Sequence, residues 1–293
     1  MSNETQFINS FPKSVPGQHQ EKHPGIESSM NPKPIFDNPN YIASDKLKNK
    51  VALITGGDSG IGRAVALAYA KEGADISIIY YDEHKDAEET KALIEKLGKK
   101  CILIPGDITD SNFCNEAVNQ TIASLNTLDI LVNNAAVQYT QNSIEDITDE
   151  QLEKTFKSNI FSMFYMTRAS LPHLKQGSAI INTASITAYN GDKVLMDYSA
   201  TKGAVVTFTR SLALSLASMG IRVNAVAPGP VWTPLIPSSF DVTQVEQFGK
   251  DTKLTRPAQP VELAGAYVYL ASCDSSYVTG EIIHVNGGKF VSG

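Results

Sequence analysis

Seven short runs rich in β-branched and other apolar residues, at 51–55, 75–80, 100–104, 128–133, 178–183, 222–227 and 282–285, recur along this chain with helical stretches between them. Strands that alternate with helices imply right-handed βαβ crossovers, and hence an α/β fold with one doubly wound parallel sheet covered by helices on both faces. Residues 48–293 suit one such domain rather than two, and no repeat of fixed period divides them. In a sheet of this kind ligands collect beyond the carboxyl ends of the strands, where the strand order reverses. Asn133, Ser185 and Pro228 each follow or end one of the runs, so they are expected on that edge.

Residues 1–47 read differently. Six prolines (Pro12, Pro16, Pro24, Pro32, Pro34 and Pro39) lie among polar residues with few apolar ones. Such a segment cannot build a core alone and is expected to be an extended arm, either disordered or lying along a neighbouring surface. Ile35, Phe36, Tyr41 and Ile42 are candidates to anchor its end.

The first run, 51–54, leads into Thr55-Gly56-Gly57-Asp58-Ser59-Gly60-Ile61-Gly62 and then into the helix-forming 63–70. Glycines at 56, 60 and 62 permit positive φ, close backbone approach to a diphosphate and tight helix–strand contact, while the helix N-terminus favours an anion. A glycine turn alone is weak evidence for a dinucleotide, and its flanks strengthen it. Farther on, Tyr198 stands thirteen positions after Ser185 and four before Lys202. On a helix, Tyr198 and Lys202 share a face. A nearby ammonium favours the phenolate and lowers a tyrosine pKa toward the range that proton transfer needs. Taken alone the pair also fits an ordinary exposed helical pair.

Together these motifs resemble the short-chain dehydrogenase/reductase family, over nearly everything from Lys48 to Gly293. Residues 55–62 are similar to its T-G-x-x-x-G-I-G turn and 133–136 to its N-N-A-G segment, with Ala136 where glycine is usual. Residues 228–233 are similar to its P-G loop over the nicotinamide. The resemblance implies a Rossmann-like fold, a homotetramer and a catalytic set of Asn159, Ser185, Tyr198 and Lys202. Tyr198 would exchange a proton with a carbonyl or alcohol oxygen, and Ser185 would hydrogen-bond that oxygen. Lys202 would tune Tyr198 and bind the nicotinamide ribose, and Asn159 would hold a water linking Lys202 to solvent. Cofactor contacts are expected from Gly56, Asp58, Ser59, Gly60, Ile61 and Gly62 in the turn, and from Tyr81 and Asp82 after the second strand. Others are expected from Asp107, Ile108, Asn133, Ala135, Tyr198, Lys202, Pro228, Gly229, Val231 and Thr233. Read locally, Ser185 also fits a turn serine, Asn159 a satisfied helical polar residue and Asp107 a helix cap. The arm and Gly56-Gly57-Asp58-Ser59 are most similar to bacterial general-stress oxidoreductases and aldehyde reductases.

Cofactor choice turns on 79–84, Ile-Tyr-Tyr-Asp-Glu-His. An acidic residue at the strand end holds a ribose 2′-hydroxyl, whereas an arginine takes a 2′-phosphate. Asp82 and Glu83 favour NAD over NADP, with Arg63 and Lys85 able to offset them. A net charge of −6 argues against nucleic acid or an anionic membrane as partner, and no run suits a membrane span of about 20 apolar residues. The first residues show neither a basic n-region nor an apolar h-region, so a cytoplasmic location is expected. Cys101, Cys114 and Cys273 suit reduced core thiols, and His84, His173 and His284 show no metal-ligand spacing, so no metal is expected. Trp232 suits either the substrate pocket or a packing anchor, and 187–197 and 234–256 suit substrate contacts and a lid. The expected activity is NAD(P)-dependent hydride transfer to or from a small carbonyl or alcohol. A non-catalytic NAD(P)-binding regulator and an epimerase or dehydratase are the alternatives.

Overall fold

The computed structural model of the protein describes residues 3–291; the outermost two residues of the arm and of the catalytic stretch lie outside the described residues. The strands are β1 Val51–Thr55, β2 Asp75–Tyr80, β3 Cys101–Pro105, β4 Ile130–Asn133, β5 Ala179–Thr183, β6 Arg222–Pro228 and β7 Ile282–Val285, within two residues of the sequence expectation. All pair in parallel in the order β3-β2-β1-β4-β5-β6-β7, so the order reverses between β1 and β4. A parallel strand is buried on both faces, which is why β1 is apolar from Val51 to Ile54: Ala52 and Ile54 enter one layer and Leu53 the other. The principal helices are α1 Gly60–Lys71, α2 His84–Lys96, α3 Ser111–Leu125, α4 Asp149–Phe156, α5 Ser162–Ser170, α6 Met196–Leu216 and α7 Val261–Ala271. Helices α1, α2 and α7 cover one face, and α3, α5 and α6 the other.

The arm is ordered and lies along its own chain. Val15 and Met30 pack with Trp232, Ile236 and Val245 in a separate apolar cluster. Trp232 Nε1 donates to Pro32 O at 2.9 Å, and Ile35 bridges Gln259 and Val261 through its backbone. Trp232 is therefore a packing anchor and no part of the pocket wall. Of the four expected arm anchors, Phe36 sits 5.0 Å from the Arg63 guanidinium and Tyr41 hydrogen-bonds Glu72, whereas Ile42 is 91% exposed. Cys101 and Cys114 are buried, and burial pushes both thiols up to about 12; Cys273 is exposed, contrary to the expectation of three core thiols.

Candidate active site

One cavity of about 630 Å³ opens along the carboxyl edge of the sheet at the β1/β4 reversal. The glycine turn forms one end. Gly56 and Gly60 take positive φ, +64° and +52°. A Cβ on Gly62 would lie 1.9 Å from Gly56 O, so only glycine lets α1 start this close to β1. Gly62 thus acts by close approach behind the turn and is absent from the cavity wall, whereas Gly56, Asp58, Ser59, Gly60 and Ile61 form that wall. Gly60 N donates to Glu27 Oε2 of the arm at 2.6 Å and is thereby occupied, and Ile61 beside it lines the cavity. The turn and its close-packed glycines therefore fit a dinucleotide.

At the adenosine end Tyr81, Asp107 and Ile108 line the cavity. Asp107 closes a local turn by accepting from Thr109 N at 2.8 Å, while the cap of α3 is Asp110. Arg63 is spent elsewhere: it pairs with Glu27 at 2.8 Å and donates to Asp58 O and Asp86 O, so it cannot serve a 2′-phosphate. Asp82 lies off the cavity wall and Glu83 on it. Lys22 of the arm reaches both carboxylates, at 2.8 and 3.0 Å. Burial raises the Glu83 carboxyl, and Asp82 is held down by its contacts with Glu83 and Lys22.

The segment after β4 differs in parity from the expectation. Asn133, the last strand residue, turns into the interior and donates to Asn182 Oδ1 at 2.9 Å, away from the cavity. Asn134 lines the wall instead, holding Thr55 O and Gly56 O at 3.2 and 3.1 Å, with Ala135 and Ala136 beside it. Pro228, Gly229, Val231 and Thr233 line the opposite wall, as expected.

Ser185, Tyr198 and Lys202 meet at one cavity, Tyr198 and Lys202 on one face of α6. Ser185 Oγ accepts from Thr187 N and Oγ1, at 3.2 and 3.1 Å. Burial pushes the Tyr198 phenol up to about 12 against the opposing effect of the Ser185 hydroxyl. Lys202 Nζ donates to Thr183 O at 2.7 Å and lies 5.4 Å from the Tyr198 ring, and burial draws its pKa down to about 7. The expected lowering of the tyrosine pKa is thus outweighed: desolvation dominates both groups. Asn159, fully buried in a π-turn at Lys157–Phe161, accepts from Val137 N and donates to Val137 O, both at 2.8 Å, and to Thr201 Oγ1 at 3.2 Å. Both amide hydrogens are used, so the side chain fixes the wall, and a water held by Asn159 would have to donate to one of its oxygens.

The sequence reading missed His23 and Pro24 of the arm and Gln138 and Tyr139 after β4, all on the cavity wall. Among the described residues no group of three or more His, Cys, Asp and Glu could hold a metal ion. No helix among them is long and apolar enough to cross a membrane.

A family model described as enoyl-(acyl carrier protein) reductase matches residues 56–289. General stress protein 39 of Bacillus subtilis is 60% identical over 96% of this chain and 99% of its own length. Glucose and ribitol dehydrogenase of Daucus carota is 51% identical, covering 95% and 98%. NADPH-dependent aldehyde reductase 1, chloroplastic, of Arabidopsis thaliana is 48% identical, covering 94% and 98%. A short chain dehydrogenase of Burkholderia cenocepacia in complex with NADP superposes with a TM-score of 0.79 at 30% identity, covering 83% of this chain and 99% of its own. A 3-ketoacyl-(acyl-carrier-protein) reductase of Brucella melitensis complexed with NADH does so with a TM-score of 0.78 at 33% identity, covering 84% and 100%.

Proposed function

The chain belongs to the short-chain dehydrogenase/reductase family, and from that premise we propose that it is an NAD(P)-dependent oxidoreductase interconverting small carbonyls and alcohols, with Tyr198 as the acid–base group. The observation that carries this reading is the convergence of Ser185, Tyr198 and Lys202 on the cavity that also holds the glycine turn. When bound, the nicotinamide supplies or accepts the hydride. Tyr198 Oη gives its proton to the carbonyl oxygen during reduction and takes one from the alcohol during oxidation. Its raised pKa keeps it protonated at neutral pH, the form that reduction uses. Ser185 Oγ hydrogen-bonds the same oxygen and stabilises the charge that develops there. Lys202 holds the nicotinamide ribose, and Asn159 is a positioning residue that ties 137 to α6.

The relatives named for glucose and ribitol and for aldehydes support a small aldehyde, ketone or sugar-like alcohol as substrate. Neighbours solved with NADP and with NADH support use of either cofactor. Lys22, by pairing with both Asp82 and Glu83, offsets part of the repulsion on which the preference for NAD rested. A cytosolic homotetramer completes the proposal; Phe161, Phe164 and Leu214, exposed on neighbouring helices, supply an apolar face for assembly.

The test is turnover of NADH and NADPH with a panel of small aldehydes, followed by Tyr198→Phe. Loss of the proton donor should lower kcat by about 10²–10⁴ while cofactor still binds. Full turnover by Tyr198→Phe would sink the mechanism.

A further inference from the structure

Four cavity-wall residues carry a buried polar atom without a hydrogen-bond partner among the described residues: His23 Nε2 of the arm, Gln138 Nε2, Tyr139 Oη and Glu83 Oε1. The last two are contacted by a lysine cation, Lys154 and Lys22, and the first two by none. His23 Nδ1 lies 3.4 Å from Ser238 O, and its ring rests 4.6 Å from that of Tyr139. Burial lowers its pKa to about 4, so the imidazole is neutral at pH 7. A carbonyl only accepts, so Nδ1 bears the hydrogen and Nε2 keeps a lone pair; that Nε2 is buried and unpaired. On the next strand-end segment Gln138, 4% exposed, takes a hydrogen bond from Ser239 Oγ through its backbone carbonyl, while its side-chain Nε2 is likewise buried and unpaired.

Leaving such groups unpaired costs about 1–3 kcal/mol each, which points to a ligand that satisfies them. The two are complementary to one chemical group: a hydroxyl gives its hydrogen to the imidazole lone pair and accepts from the amide. The arm is held tightly enough to make His23 a fixed reader. Gln20 N donates to Pro237 O at 2.8 Å and Ser238 Oγ to Pro24 O at 2.9 Å. Gly25, at φ +101°, brings the chain so near that a Cβ would lie 2.3 Å from Pro234 O.

Resting on the hydride-transfer reading above, we propose that the N-terminal arm completes the substrate site: His23 and Gln138 together recognise a hydroxyl group carried by the substrate at a carbon other than the reacting one. The arm is then a specificity element, and hydroxylated aldehydes are selected over plain ones.

The test compares kcat/KM for D-glyceraldehyde and for propanal in the full-length enzyme. His23→Phe keeps a ring against Tyr139 and removes the acceptor; it should lower the glyceraldehyde-to-propanal ratio about tenfold, through KM. His23→Gln, whose amide oxygen is again an acceptor, should recover part of that ratio. An unchanged ratio in His23→Phe, or an equal loss on both substrates in both variants, overturns the proposal. Tyr198→Phe separates the two readings: if it still turns over both aldehydes, the acid–base mechanism falls, while the His23 ratio continues to report on hydroxyl recognition.

Discussion

Arg63→Met should detach the arm. The Arg63 side chain is 2% exposed, and its guanidinium pairs with Glu27 Oε1 at 2.8 Å, lies 3.4 Å from Glu89 and faces the Phe36 ring. The two carbonyls it serves, Asp58 O and Asp86 O, share the single Thr90 Oγ1 hydrogen, at 2.7 and 3.1 Å, so the change leaves them one donor between them. The cost falls first on Glu27, a carboxylate 1% exposed that would keep Gly60 N and lose its counter-ion, and to a lesser extent on the buried Asp86, 4.0 Å from the same guanidinium. Removing one partner of a buried ion pair costs about 3–5 kcal/mol. For a chain of this size that corresponds to a fall in Tm of roughly 10 °C. Burial already holds the Glu27 carboxyl up to about 7 despite Arg63, so its folded form favours the proton and its charge opposes folding as pH rises from about 4.5 toward 7. The deficit of the variant should consequently be larger at pH 8 than at pH 6. At pH 8, where taking up a proton is the costlier escape, Glu27 relieves the penalty by leaving with the arm, so limited proteolysis at that pH should cut within 1–47 in the variant and spare the wild type. A double variant with Glu27→Gln should lose less than the sum of the singles, because no unpaired charge is left behind. A Tm within about 2 °C of wild type together with a protease-resistant arm would refute this reasoning.

Two further outcomes are expected. Lys22→Ala leaves Asp82 and Glu83 without their shared counter-ion; the resulting repulsion, about 1–2 kcal/mol at several ångströms, should weaken NADPH roughly tenfold relative to NADH in a fluorescence titration, and an unchanged ratio would show that these carboxylates do not face the 2′-position. Acidification should loosen the arm at His23, which faces the Ser238 carbonyl, Tyr139 and the Lys154 cation: its folded pKa is about 4 against 6.5. The neutral ring's contribution is whole above pH 6.5 and is lost as pH falls toward 4, by up to about 3 kcal/mol. His23→Phe should therefore show a smaller decline in Tm over that window, and parallel declines would contradict the assignment.

The strands were legible because parallel strands buried on both faces are near-continuous apolar runs, as 51–54 is and as 222–227 is apart from Arg222 and Asn224. Tyr198 and Lys202 were legible because a helix converts a spacing of four into a shared face. The parity of Asn133 and Asn134 was not: one step at a strand end sends a side chain to the opposite side, and spacing alone does not say which residue is last in the ladder. Nor could the sequence report desolvation, which decides the pKa values of Tyr198 and Lys202. The arm was least legible. Lys22, His23 and Glu27 gain meaning only from partners brought near by the fold, such as Ser238, more than two hundred positions away.

The arm's stitching also sets an order of events during synthesis. Residues 1–47 leave the ribosome before the rest of the fold, and Pro32 finds Trp232 only after 200 more residues have been made. At bacterial or eukaryotic elongation rates that is a wait of roughly 10–40 s. A proline-rich, weakly apolar segment is suited to it, since it offers little for premature collapse or strand pairing. The arm is thus made well before its docking surface and settles after it, and the pocket wall it supplies is finished only once residues 232–238 have emerged.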